Sequence, residues 1–128
     1  MNDGTQALKW VRGLGSAHEG AHHWRIQRLT ALALLLLAPW LLVSLLLLPD
    51  LSFSTVRAWS AGLFNATLLG LLVIAVCWHS QLGVQVVIED YVRGWARMVS
   101  LILNAFAHVV LGALGLLAIV RLALGMPA

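Results

Sequence analysis

The sequence predicts an all-α membrane protein with three transmembrane helices, and three observations carry that prediction. The 128 residues are 61% hydrophobic and only 10% charged, whereas a soluble domain carries about 25% charged residues. Three long apolar runs follow one another, each able to cross a bilayer. The basic residues collect at one set of run ends, as topology requires of loops on the cytoplasmic side.

The first run is Leu29–Leu48, twenty residues without a charge. At about 1.5 Å per residue it covers a hydrocarbon core of roughly 30 Å. Pro39 lies near its middle, where a membrane helix tolerates the lost N–H. Pro49-Asp50 closes the span, predicted over about 26–48. The second run starts near Trp59 and continues to Ile88, with a purely apolar heart at Ala66–Trp78. His79, Ser80, Gln81 and Gln85 then precede Glu89 and Asp90. So polar a half-helix should face protein, cofactor or water rather than lipid. The third span, over about 97–124, carries Asn104, His108 and Arg121. Its Gly112 and Gly115 are small enough for close helix packing.

Lys9, Arg12, Arg25 and Arg28 precede the first span, and Arg93 and Arg97 join the second to the third. Only Arg57 and Arg121 lie on the other side. This asymmetry puts the N-terminus in the cytoplasm and the C-terminus across the membrane. Trp24 and Trp95 then suit the cytoplasmic interface, and Trp59 and Arg121 the outer one. Membrane topology also accounts for the net charge of +3 without a nucleic-acid partner. Residues 1–25 form a cytoplasmic segment, in which Thr5–Leu14 suits a short interfacial helix. That segment reads as neither a signal nor a transit peptide. Residues 1–128 make a single membrane-anchor domain. Cys77 is the only cysteine, so no disulfide forms within the chain, and it reads as a small apolar side chain.

Chemistry concentrates at few positions. His79 lies about 15 Å below the Glu89-Asp90 edge, at membrane depth. An ionisable residue there is a functional candidate. Its imidazole suits either a haem iron or a hydrogen bond to a neighbouring helix, and residue pattern alone leaves both open. His79, Gly83, Val86 and Asp90 share a helical stripe. Gly83 suits a porphyrin face or a close helix. Tyr91 offers a phenol at the membrane edge, able to donate to a quinone carbonyl, with Asp90 beside it; an ordinary interfacial pair fits equally. Arg28, at the start of the first span, suits a haem propionate or a lipid headgroup. The run His18-Glu19-Gly20-Ala21-His22-His23 invites a metal reading, but Gly20 weakens a helix there. Hydrogen bonding at the membrane surface suits it better. His108 is a rival haem ligand and reads better as a packed, hydrogen-bonded histidine.

Two motifs bring in a resemblance. Arg12-Gly13-Leu14-Gly15-Ser16-Ala17, then His22-His23-Trp24 and Gln27-Arg28-Leu29-Thr30-Ala31, resemble the N-terminal signature of succinate dehydrogenase hydrophobic membrane anchor subunits of the D type. His79, Leu82-Gly83 and Gln85-Val86-Val87-Ile88-Glu89-Asp90-Tyr91-Val92 resemble that family's second-helix motif, with the family's twelve-residue interval from histidine to tyrosine. The resemblance covers nearly the whole chain. It implies a multi-pass protein of the bacterial inner membrane within succinate:ubiquinone oxidoreductase. His79 would be an axial ligand of a b-type haem shared with a companion C-type anchor. Arg28 and His22 would lie near the haem propionates. Tyr91, with Asp90, would meet ubiquinone. An iron–sulfur subunit would dock on the cytoplasmic face, with a flavoprotein subunit beyond it. The isolated chain would catalyse nothing.

Three other readings share these features. A fumarate reductase anchor keeps the architecture and reverses the electron flow. A small non-redox membrane adaptor would hold no haem. An ion or proton channel would line a pore with His79, His108 and Arg28, but the first span offers no polar stripe.

Overall fold

The computed structural model describes residues 16–125, with side chains from Gly20 onward. The Thr5–Leu14 segment and the side chains of His18 and Glu19 lie outside the described residues. Four helices follow in order: α1 (Ser16–Leu46), α2 (Phe53–Ala61), α3 (Leu63–Tyr91) and α4 (Gly94–Ala123). Three of them, α1, α3 and α4, are long and apolar enough to cross a membrane.

The 31 residues of α1 run about 46 Å, well past the hydrocarbon thickness. The helix starts ten residues before the expected span edge and passes through Gly20, so part of the 1–25 segment is helical. Apolar propensity downstream outweighs one unfavourable glycine in the first turns. Pro39 is accommodated inside α1, where its missing N–H leaves the Leu35 carbonyl without its helical donor. One residue later, Trp40 stacks on Trp59 with centroids 5.9 Å apart and meets Phe64 edge-on at 6.5 Å. These rings tie α1 to α2 and α3 at the end of the bundle opposite Arg28.

The second span departs from expectation. It does not begin at Trp59: α2 is a separate helix and α3 begins at Leu63. Ser52 caps α2, accepting from the Thr55 N–H at 3.4 Å. Asp50 in the preceding loop accepts from the Ser52 N–H at 2.9 Å. Its carboxyl is held below the usual range by the Ser52 hydroxyl first, then Thr55 and the Ser52 N–H. At the break, Gly62 is extended (φ −61°, ψ 132°). The Trp59 carbonyl accepts from Gly62 N–H at 3.3 Å and from Asn65 Nδ2 at 2.8 Å. A side-chain amide competing for backbone acceptors, next to a glycine, ends one helix and starts the next.

The reversal from α3 to α4 needs only Val92 and Arg93, because Gly94 takes φ +66°, a backbone region that L side chains avoid. The central helix is α3: it packs against α1 on one flank and α4 on the other, while α1 and α4 make at most glancing contact. A Cβ added at Gly115 would come within 2.9 Å of Val73 Cγ1, and one at Gly112 within 3.7 Å of Cys77 Sγ. The two glycines therefore set the close approach of α4 to α3, as their size predicted. The apolar core is small, with Ala75 and Leu82 the buried members among the described residues. Large apolar side chains cover the outside, as they do where lipid or a partner helix is the solvent.

Candidate functional site

The half-buried imidazole of His79 points to α1, where its Nδ1 lies 3.1 Å from Thr30 Oγ1. Thr30 is buried, 7% exposed. Its hydroxyl also lies 2.9 Å from the Ile26 carbonyl and 3.1 Å from the Gln27 carbonyl. With the hydroxyl hydrogen on one of these carbonyls, the Thr30 oxygen accepts and His79 Nδ1–H donates to it. In that tautomer Nε2 keeps its lone pair, and no described residue bonds it. An imidazole oriented through one nitrogen and free at the other is the usual form of a histidine prepared for a metal. Thr30 received no role from the sequence, although a hydroxyl inside a twenty-residue apolar run was a visible signal.

One turn further, a Cβ on Gly83 would meet nothing within 4 Å. The space beside His79 is open, which suits a flat group seated there with a second chain.

His108 differs. Its Nδ1–H donates to the Asn104 carbonyl at 2.8 Å, and its Nε2 accepts from the Ser80 hydroxyl at 2.9 Å. Both nitrogens are engaged, so His108 is a packed, hydrogen-bonded histidine with no lone pair for a metal. It belongs to a polar seam between α3 and α4. Asn104, 8% exposed, donates to the Gln81 carbonyl at 3.0 Å. Gln81 donates to Gln85 at 3.3 Å, and Gln85 to Glu89 at 3.0 Å. Within this polar half, His79 and Ser80 send side chains to other helices, while Gln81, Gln85 and Glu89 bond one another along α3.

Asp90 and Tyr91 are the last residues of α3 and are exposed, Tyr91 to 83%. Tyr91 lies about 18 Å along the axis from His79 and about 120° around it. The structure therefore does not bring the phenol and the imidazole together. Arg28 is exposed, with its guanidinium carbon 5.4 Å from the Trp24 ring centroid, a cation–π contact. His22 is exposed as well. Its neighbour His23 has a buried Nε2 without a partner, and so has Gln27 Oε1. With Thr30 these two form a stripe along α1, unnoticed in the sequence because only the α3 neighbour turns that face inward. Among the described residues no group of three histidine, cysteine or acidic side chains is placed to hold a metal ion.

A family model described as succinate dehydrogenase/fumarate reductase transmembrane subunit matches residues 2–120. The succinate dehydrogenase hydrophobic membrane anchor subunit of Paracoccus denitrificans is 32% identical over 118 residues, 91% of each chain. The subunits of the same name from Rickettsia conorii and Rickettsia bellii are 37% and 38% identical over 83 and 82 residues, 64% of this chain. The aligned part spans 66% of the length of each Rickettsia protein. With three membrane-spanning helices and a match along nearly its full length, this chain belongs to the transmembrane anchor subunits of the succinate dehydrogenase/fumarate reductase family.

Proposed function

We propose that the chain anchors a succinate:ubiquinone oxidoreductase in the bacterial inner membrane, ligates a b-type haem through His79 and helps form the quinone site through Tyr91. The observation that carries the haem part is the Thr30–His79 hydrogen bond. It leaves Nε2 of a membrane-depth histidine with an unused lone pair, beside the open space at Gly83. Bound there, haem would supply a one-electron redox centre. A companion anchor would supply any further protein ligand to the haem, since α4 places no other free imidazole at that depth.

This chain's own residues then divide the work. Thr30 holds the His79 ring in position and keeps the Nδ1 proton in place. Arg28 and His22, about half a turn and just over two turns before Thr30 on the basic end of α1, are on hand for propionate carboxylates once Arg28 leaves Trp24. Tyr91 presents a phenolic O–H at the same membrane edge, where a quinone carbonyl would accept it, and Asp90 orders water beside it. The basic ends of α1 and of the α3–α4 turn mark that edge as cytoplasmic. There an iron–sulfur subunit would deliver electrons, drawn in turn from a flavoprotein subunit.

The test is a reduced-minus-oxidised spectrum of the complex purified in mild detergent. A low-spin b-haem signal that His79→Ala abolishes is the expected result; an unchanged spectrum in that variant removes His79 as the ligand. The family description names both succinate dehydrogenase and fumarate reductase. The same anchor geometry serves a fumarate reductase with electrons flowing the other way.

A further inference from the structure

A helix turns about 100° per residue, so Val84 and Cys77, one and two heptads before Tyr91, lie within about 20° and 40° of it around α3. His79 lies about 120° away. The imidazole thus looks to α1, while the face of α3 below Tyr91 runs down beside α4. Beside this face, from Cys77 at about 40° round to Trp78 at about 140° from Tyr91, lies a groove of about 600 Å³ between α3 and α4, within the size range of small-molecule clefts. Ile74, Trp78, Val109 and Leu116 supply its apolar walls, and Ala105 and Ala113 leave it room. From Tyr91 the groove begins about 15 Å along the axis, at Gln81, and ends about 25 Å along, at Ile74. Between them Val84 on α3 and Met98 and Ile102 on α4 are apolar and exposed.

The walls are mostly apolar, and the polar groups of His108 and the Gln81 amide nitrogen are engaged within the protein: His108 bonds Asn104 and Ser80, and Gln81 Nε2 donates to Gln85. An occupant there meets mainly hydrocarbon. We propose that the α3–α4 groove seats the isoprenoid tail of the quinone whose head meets Tyr91. This rests on the quinone role proposed for Tyr91, and it adds a site for the substrate's apolar chain. Burying that chain makes affinity depend on tail length, at about 25 cal/mol per Å² of apolar surface removed from competing environments.

The experiment compares quinones of long and of one-unit isoprenoid tail in the intact complex, with succinate–dye activity as the assembly control. Ala105→Phe or Ala113→Phe, each filling the groove, should raise KM for the long-tailed quinone several-fold and leave the short-tailed one and the dye assay unchanged. Unchanged KM for the long tail in both variants overturns the groove. Tyr91→Phe is the separate readout of the head site. If it slows both quinones while the filled grooves fail to discriminate, only the tail proposal falls. If it slows neither, the quinone assignment itself falls. A second measurement needs no variant: a quinone with a photoreactive group at the tail end should label the wild-type chain on the segments holding Trp78 or Val109. Labelling confined to other chains or to α1 overturns the proposal. So does labelling of the groove by a photoreactive phospholipid that excess long-tailed quinone does not displace.

Discussion

Thr30 and His79, 49 residues apart in sequence, share a hydrogen bond of 3.1 Å between α1 and α3. With the threonine hydrogen donated to its own helix, the threonine oxygen accepts from Nδ1–H and leaves the Nε2 lone pair for a ligand.

The first prediction follows from that bond. Thr30→Val keeps the shape and removes the acceptor. Haem affinity should fall by about 10- to 100-fold, the usual cost of losing the group that orients a ligating histidine. The midpoint potential of the remaining haem should rise, because the imidazole donates less electron density without its Nδ1–H partner. Haem content and potential identical to wild type would show that Thr30 does not position the ligand. Thr30→Ser, which retains the hydroxyl, should restore both.

A second prediction separates the two histidines of the spans. His79→Ala should abolish the low-spin haem spectrum. His108→Ala should leave the spectrum in place and lower the thermal stability of the complex by about 0.5–1.5 kcal/mol, the net worth of an ordinary hydrogen bond. Spectral loss in the His108 variant instead would reverse their roles.

Tyr91→Phe removes one phenolic O–H. A neutral hydrogen bond is worth about 0.5–1.5 kcal/mol, so succinate–quinone activity should drop by up to about tenfold with succinate–dye activity intact. Equal losses in both assays would count against a quinone contact.

The α3–α4 approach makes a fourth prediction. Gly115→Ala places its Cβ 2.9 Å from Val73 Cγ1 and should cost about 1–3 kcal/mol through overpacking. Val73→Ala in the same chain should recover most of it. Thermal dissociation of the complex, followed by loss of succinate–quinone activity, measures both. Additive losses would mean that the two residues do not meet.

The fifth prediction concerns sidedness. A reporter fused after Ala128 should read as non-cytoplasmic, because six of the eight basic residues flank the opposite ends of the spans. A cytoplasmic readout inverts the topology.

What could be read from the sequence follows from what acts locally. Length and apolarity place the spans, because a bilayer imposes one thickness on every helix. The polar residues after Trp78 mark that half of α3 for contacts other than lipid, and two of them, His79 and Ser80, bond neighbouring helices. The break at Gly62 was hidden because Trp59, Ala61 and Leu63 are all apolar on either side, and the decisive bond comes from Asn65 reaching back to Trp59. Thr30, His23 and Gln27 were hidden for a different reason. Their significance depends on which face of α1 meets α3, a fact that resides in another helix.

With α3 in the middle and its two long neighbours barely touching, the spans stand like pickets in a fence. A fence has two sides and no interior. By itself it encloses no column of water or ions. It can only become one wall of a room whose other walls belong to different chains, and each broad side is available to a different neighbour.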